Sequence, residues 1–217
     1  MAATDKDPAA IELAKKLEHI PWCDDYEKMI SRVLYDALAP ELVQGRFRAR
    51  RLMHKYNTTF PDDATLESLE KSRTVALGEI FGKVGKGAYI EPPLNIDYGC
   101  NIVIGDNFYS NFNLVILDCA IVEIGSRVQF GPFVSIFAAT HETGVQSRRD
   151  GVEYAKPVVI GDDCWIGGNT TIMPGVTIGK GCTIGAGSVV TRSIPDFSVA
   201  MGTPARVVKK VDPVPDL

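Results

Sequence analysis

The chain has 217 residues, of which 45% are hydrophobic and 23% are charged, a composition typical of a globular protein. Its formal charge is −4, from 23 basic and 27 acidic side chains, so no overall cationic field points to nucleic acid. The first residues, MAATDKDPAA, lack a basic start followed by an apolar core, and no apolar run could cross a bilayer. We therefore expect a cytoplasmic protein with no secretory signal and neither a membrane nor a nucleic-acid partner.

The N-terminal third differs in composition from the rest, because only Gly45 of the 20 glycines precedes residue 78. Apolar residues recur there at helical spacing, and Pro21 and Pro40 are expected to end helices. We divide this part into an N-terminal extension with a helical pattern (1–24) and a helical region (25–84). The expected helices are Ile11–Ile20, Glu27–Leu38, Glu41–Tyr56 and Asp63–Phe81.

A six-residue repeat dominates the second part of the chain. Branched aliphatic residues stand six apart without a break at Ile160, Ile166, Ile172, Ile178, Ile184 and Val190. This period fits a parallel β-helix of about five coils, in which each hexad forms one side of a triangular coil. We expect that domain to span 85–210, followed by a tail (211–217). Between Ile136 and Ile160 the apolar pattern stops, which predicts an extruded loop at 141–157.

The cysteines and histidines are the residues to consider as metal ligands or catalytic groups. The five cysteines form no CxxC pair and have no histidine at metal-ligand spacing, so we expect reduced thiols and no metal site. His19 and His54 lie in helical segments, whereas His141 stands at the root of the loop. An imidazole can take a proton from an alcohol near neutral pH. A single histidine at a loop root is nevertheless more often structural or simply exposed.

Several segments resemble one acyltransferase family, the maltose/galactoside O-acetyltransferases of the left-handed hexapeptide-repeat class. The matching segments are EKMISRVLYDALAPELVQGRFRARRLMHKYN (27–57), EPPLNIDYGCNIVIGDNFYSNFNLVILD (91–118), FAATH (137–141), DDCWIGGNTTIMPGVTIGKGCTIGAGSVVTRSIP (162–195) and MGTPARVVKK (201–210). The resemblance implies a left-handed parallel β-helix and acetyl transfer from acetyl-CoA to a sugar hydroxyl, such as one of maltose or glucose. No metal is implied.

The resemblance also implies roles for individual residues. His141 matches the general base and Asn111 the asparagine at the reacting centre. Attack on the thioester is direct, so no cysteine need be a nucleophile. The residues matched to the acceptor site are Asp97, Tyr109 and Asp118, with Asp36 and Arg46 from the helical region. Those matched to acetyl-CoA are Gly168, Ala186, Thr191, Arg192, Arg206 and Lys209, with Trp165 beside the same groove or serving as an apolar plug. Cys119 is a departure from the family pattern, because some galactoside enzymes have an acidic residue at this position.

The family further implies a homotrimer with active sites between subunits. Phe130, Phe133 and Phe137 would be buried in that assembly if they face outward. Two other functions stay open: an acyltransferase with a different acceptor, such as an amino sugar or another saccharide, and a non-catalytic β-helix scaffold. A metal-dependent β-helix hydratase would need several histidines at its site, and His141 is the only histidine in the predicted solenoid.

Overall fold

The computed structural model describes residues 1–214, so the last three residues of the expected tail (211–217) lie outside the described residues. An N-terminal helical part precedes a solenoid whose first strand begins at Lys83. The helices are α1 (Pro8–Ala14), α2 (Asp24–Ile30), α3 (Pro40–Thr58), α4 (Leu66–Ile80) and α5 (Val145–Arg149). The strands in chain order are β1 (Tyr35–Asp36), β2 (Lys83–Val84), β3 (Tyr89–Ile90), β4 (Leu94–Ile96), β5 (Ile102–Ile104), β6 (Tyr109–Ser110), β7 (Leu114–Leu117), β8 (Val122–Ile124), β9 (Gln129–Phe130), β10 (Ser135–Phe137), β11 (Ala139–Thr140), β12 (Val152–Ala155), β13 (Val158–Ile160), β14 (Trp165–Ile166), β15 (Thr171–Ile172), β16 (Thr177–Ile178), β17 (Thr183–Ile184), β18 (Val189–Val190), β19 (Ser198–Gly202) and β20 (Ala205–Lys210).

The helices begin where local sequence satisfies their first N–H groups. Asp7 caps α1, accepting from the backbone of Ala9, and Pro40 stands in the first turn of α3. Thr65 and Ser68 form a capping box at the start of α4. The helix expected over Glu27–Leu38 is wrong in its second half, because α2 ends at Ile30 and the chain then extends into β1.

The solenoid is a parallel β-helix of about six turns with three flat faces. Face one contains β2, β5, β8, β13 and β16; face two contains β3, β6, β9, β14, β17 and β19, with β20 added antiparallel; face three contains β4, β7, β10, β15 and β18. On face one the register places Ile104 beside Ile124, then Ile160, then Ile178. These side chains are buried and form one of the apolar columns that fill the coil. The hexad repeat thus predicted both the fold and its interior.

Phe130 belongs to this interior, so the expectation that it could face outward is wrong. Its ring is buried on face two and packs edge-on against Phe108, with the ring centroids 5.1 Å apart. Phe133 is exposed at a corner, and Phe137 is partly buried. In its column Phe130 stands between Ser110 and Ile166, so its ring occupies space that the small serine leaves in the neighbouring coil.

One corner of the coil is wider than the other two and determines where the loop leaves. Ile104 pairs with Ile124, twenty residues on, whereas Ile160 pairs with Ile178, eighteen residues on. The two extra residues lie between faces three and one. Ile124 therefore follows Ile116 by eight residues, and Ile104 and Ile116 stand two residues out of step with the later six-residue period. We call this wider corner the loop corner, comprising residues 97–101, 118–121, 138–157, 173–176 and 191–193. The corner between faces two and three is called the Asn111 corner, comprising residues 91–93, 111–113, 131–134, 167–170 and 185–188.

The extruded loop is ordered rather than irregular. After His141 the chain forms α5 and returns as β12, which pairs antiparallel with β11 on one side and with β1 on the other. The register sets Tyr35 opposite Glu153 and Asp36 opposite Val152. A strand from the N-terminal part therefore holds the loop against the solenoid.

Candidate active site

His141 lies at the loop corner, directly after β11, with about half of its side chain exposed. Its Nε2 faces Oε2 of Glu153 at 3.6 Å. The other carboxylate oxygen of Glu153 accepts a hydrogen bond from the Tyr35 hydroxyl. A histidine beside a partly buried carboxylate, with the rest of its ring open to solvent, can accept a proton from a bound hydroxyl.

No pattern in the sequence pointed to Glu153 as a site residue. It stands twelve residues after His141 in a segment with no apolar repeat, and only the antiparallel return of β12 brings the two together. Tyr35 was not singled out either, because its segment was expected to be helical. The signal that could have found Glu153 is the alternation in VEYA, which is typical of a strand.

Two of the expected acceptor residues occupy the same corner. Asp97 is partly buried, its Oδ2 accepts from the Cys119 thiol at 3.6 Å, and burial raises the pKa of its carboxyl. Asp118 is fully buried, and it accepts from the backbone N–H groups of Asp97 at 3.1 Å and Tyr98 at 2.9 Å. The expectation that Asp118 contacts the acceptor is therefore corrected: the widened corner turns this carboxylate inward, where it serves the backbone.

Replacing Asp118 by alanine should destabilise the fold by about 2–4 kcal/mol, because backbone N–H groups would be buried without an acceptor. Burial raises the pKa of Asp118 to about 7, against about 4 when unfolded. The folded state thus binds the extra proton, and the contribution of Asp118 to stability falls as pH rises from about 4 to about 7. Urea unfolding across this range measures both effects.

The matched control for that experiment is Asp118→Asn. The amide keeps one acceptor oxygen and carries no charge, so it should lose less stability than alanine and should flatten the pH slope. An unfolding free energy of Asp118→Ala equal to that of the wild type would contradict the structural role.

The two helical-region candidates lie next to this corner. Arg46 on α3 donates to the Tyr98 hydroxyl and, at 2.5 Å, to the Ala37 carbonyl. Asp36 is exposed at the end of β1, and its Oδ1 accepts from the Leu38 N–H at 2.8 Å. Both therefore have local structural partners, and Asp36 lies one residue from Tyr35. A sugar contact by either residue stays a prediction.

A second set of expected residues lies at or near the Asn111 corner. The Oδ1 of Asn111 accepts from the Phe112 N–H at 2.7 Å, which leaves the amide NH2 as the end that a ligand could use.

Tyr109 precedes Asn111 on face two and stacks on Tyr89, with ring centroids 6.4 Å apart. Trp165 is 57% exposed on the same face. Gly168 and Ala186 lie in successive coils of this corner, and a Cβ on Gly168 would stand 2.9 Å from the Pro132 carbonyl oxygen.

The remaining cofactor candidates lie in the last coils. Thr191 and Arg192 are exposed at the loop corner, directly after β18. Arg206 and Lys209 are exposed on β20, the antiparallel strand added beyond face two. Exposed cations at this end of the solenoid are suited to the phosphates of a nucleotide-containing ligand.

The expected catalytic residues thus fall into two groups on one chain. His141 belongs to the loop corner and Asn111 to the Asn111 corner, and the strands of face three run between these corners. Exposed aromatic side chains surround Asn111, namely Tyr109, Phe112, Phe133 and Trp165. Within one chain, His141 and Asn111 therefore lie at opposite ends of the face-three strands.

Within residues 1–214, no group of three or more histidine, cysteine, aspartate or glutamate side chains could hold a metal ion. Over the same residues, no helix has both the length and the apolar character needed to pass through a bilayer.

Comparisons with known proteins agree with the fold. Residues 28–85 match the family described as maltose acetyltransferase hexapeptide capping motif, and residues 157–192 match the bacterial transferase hexapeptide (six repeats). Galactoside O-acetyltransferase of Escherichia coli K12 is 38% identical over 86% of this chain and 89% of that protein. The crystal structure of a maltose O-acetyltransferase from Clostridium difficile 630 has 41% identity and a TM-score of 0.83, covering 88% of this chain and 99% of that one. A galactoside acetyltransferase in complex with coenzyme A has 37% identity and a TM-score of 0.81, covering 88% and 92%.

These likenesses and the six-turn solenoid define an acetyltransferase of the hexapeptide-repeat class, whose solenoid is the left-handed parallel β-helix. Within that class the chain belongs to the maltose/galactoside O-acetyltransferase family. Solved relatives of this family hold coenzyme A or acetyl-CoA. The resemblance found in the sequence is confirmed at this level.

Proposed function

We propose that this acetyltransferase moves the acetyl group of acetyl-CoA to a hydroxyl of a small sugar, such as maltose or glucose, with His141 as the general base. The observation that supports this most is the pairing of His141 with Glu153 at an open corner of the solenoid. Relatives named for galactoside and maltose acetylation support the sugar acceptor. A cytoplasmic location stays a prediction from the sequence.

The pairing suggests how the proton moves. When the imidazole is neutral, Nε2 carries its proton toward Glu153, and Nδ1 is the free acceptor. Nδ1 would take the proton of the acceptor hydroxyl as its oxygen attacks the thioester carbonyl. The tetrahedral oxyanion then expels the coenzyme A thiolate, which receives the proton from the imidazolium. The amide NH2 of Asn111 would donate to the oxyanion.

Direct attack agrees with the state of the thiols near the loop corner. Cys100 and Cys119 are buried, and burial raises the pKa of both thiols well above the usual range. A protonated, buried thiol is a poor nucleophile. The proposed reaction therefore needs no acyl-cysteine, and proton transfer by His141 is the main contribution asked of a side chain.

The proposed assembly is a homotrimer in which each reacting centre combines the loop corner of one chain with the Asn111 corner of the next. A cyclic trimer would repeat this heterologous contact three times and cover the exposed rings around Asn111. The acetyl-CoA contacts proposed for Gly168, Ala186, Thr191, Arg192, Arg206 and Lys209, with Trp165 beside the groove, belong to the same arrangement. Asp97, Tyr109, Asp36 and Arg46 would line the acceptor side.

Release of coenzyme A thiol should depend on both acetyl-CoA and a sugar hydroxyl. We expect turnover with maltose, glucose or a galactoside above the rate of acetyl-CoA hydrolysis, because the base acts on a bound alcohol. The measurement is thiol release over an acceptor panel that includes glucosamine, with mass spectrometry of the product to separate O-acetyl from N-acetyl transfer.

Thermal unfolding with and without coenzyme A is the control for that panel. A folded chain that gains no stability from coenzyme A and turns over no acceptor would support the scaffold function instead. Turnover of the amino group of glucosamine alone would favour the alternative acceptor class.

A further inference from the structure

We propose that Tyr35 is a positioning residue, whose hydroxyl holds the Glu153 carboxylate so that its second oxygen faces His141. This inference deepens the proposed function and rests on it for its kinetic part. It extends the site by one residue from the N-terminal part, which sequence reasoning treated only as a source of acceptor contacts.

Three side chains lie one after another at the loop corner, namely Tyr35, Glu153 and His141. Tyr35 donates to Oε1 of Glu153, and Oε2 of the same carboxylate lies 3.6 Å from His141 Nε2. Tyr35 is 1% exposed, and burial raises the pKa of its hydroxyl far above the usual value, so the hydroxyl remains a donor. Exposure then rises to 19% for Glu153 and 53% for His141. Tyr35, the most buried of the three residues, thus lies furthest from the solvent-exposed ring of His141.

The backbone fixes the first contact. Tyr35 and Glu153 are directly opposite each other in the antiparallel pair of β1 and β12, where facing side chains are close. The ring of Tyr35 belongs to the hydrophobic core, so its hydroxyl has little freedom. His141, by contrast, follows β11 on an exposed stretch and is oriented by the carboxylate.

The charges around Glu153 make an anchor necessary. Burial is the main cause of the raised pKa of the Asp97 carboxyl, and the charge of Glu153 adds a smaller shift in the same direction, so the two carboxylates repel each other. Without the Tyr35 hydroxyl, Glu153 would turn away from Asp97 toward solvent and leave Nε2 of His141 without its acceptor. The other ionisable groups that face Tyr35, Glu153 or Asp97 are Asp118, Cys119, Tyr98, Arg46 and Arg50.

Tyr35→Phe should lower kcat by about 10-fold while leaving KM for acetyl-CoA unchanged, because it disturbs the orientation of the base and not cofactor binding. In the ¹⁵N spectrum of the imidazole, wild-type His141 should show the tautomer protonated at Nε2, and Tyr35→Phe should show a mixture. Glu153→Gln should give the same mixture, and adding Tyr35→Phe to it should cost little further activity.

Tyr26→Phe is the matched control. Tyr26 is another fully buried tyrosine of the N-terminal part, and its hydroxyl donates to Asn101 at 2.8 Å rather than to Glu153. It should lose comparable stability and keep the wild-type tautomer. A folded Tyr35→Phe with a wild-type imidazole spectrum would overturn the proposal, whether or not the enzyme acetylates sugars.

A measurement on chains that keep Tyr35 covers the case in which Tyr35→Phe does not fold. The Tyr35 hydroxyl proton, buried and bound to a carboxylate, should give a downfield resonance in protein carrying ¹³Cζ-labelled tyrosine. That resonance should move upfield in Glu153→Gln. A resonance that is the same in both chains would contradict the contact.

Discussion

His141→Ala is expected to lower kcat for acetyl transfer by about 10²–10⁴-fold, the usual contribution of a positioned general base. The proton-accepting Nδ1 would be lost together with the Nε2 that faces Glu153, and no other imidazole is near, since His19 and His54 belong to the helical part. KM for acetyl-CoA should change little, because His141 is not among the proposed cofactor contacts. Initial rates of thiol release at saturating acetyl-CoA give the result.

His54→Ala is the matched control, since His54 is an exposed histidine on α3. It should keep the wild-type rate, which shows that removing an imidazole has no general effect. Both variants should gain the same thermal stability from coenzyme A as the wild type. Equal activity of His141→Ala and the wild type would show that His141 is not the base.

The sequence was a good guide to the solenoid because its signal repeats. Ile160, Ile166 and Ile172 each occupy the inward position of one face, and the same requirement recurs in every coil. A regular period leaves little freedom for the fold once three hexads complete a coil. The break in the pattern after Ile136 located the loop, and His141 at its root, for the same reason.

The contacts at the loop corner could not be predicted in this way. Glu153 reaches His141 only because β12 returns antiparallel, and Tyr35 reaches Glu153 only because β1 pairs with β12. Such long-range pairs have no local period. Asp118 shows the same limit: a carboxylate in a polar corner looks available to a ligand, yet the two extra residues of the widened corner turn it toward backbone N–H groups.

The position of the reacting centre follows from where the regular coil is interrupted. A uniform hexad solenoid presents three similar corners, whereas here the coils of the first half are wider at the loop corner. This widening makes room for Asp97 and Cys119 and for the departure of the loop. Asn111 has no such irregularity around it, and its surroundings are exposed rings. The two corners therefore differ in kind, since one carries polar side chains such as Asp97 and the other carries exposed aromatic rings.

Chains carrying His141→Ala and chains carrying Asn111→Ala should each be nearly inactive alone and should recover activity when they assemble together. If each site takes His141 from one subunit and Asn111 from the next, every cyclic trimer that contains both variants has one complete site of its three, so purified mixed trimers should show about one third of the wild-type rate per site. Co-expression with two affinity tags and tandem purification gives mixed assemblies whose rate per site can be compared with the wild type. Mixing His141→Ala with a His141→Ala/Asn111→Ala double variant should restore nothing. Mixed assemblies that stay as inactive as their parents would place both residues in the site of a single chain, which the separation of the two corners argues against.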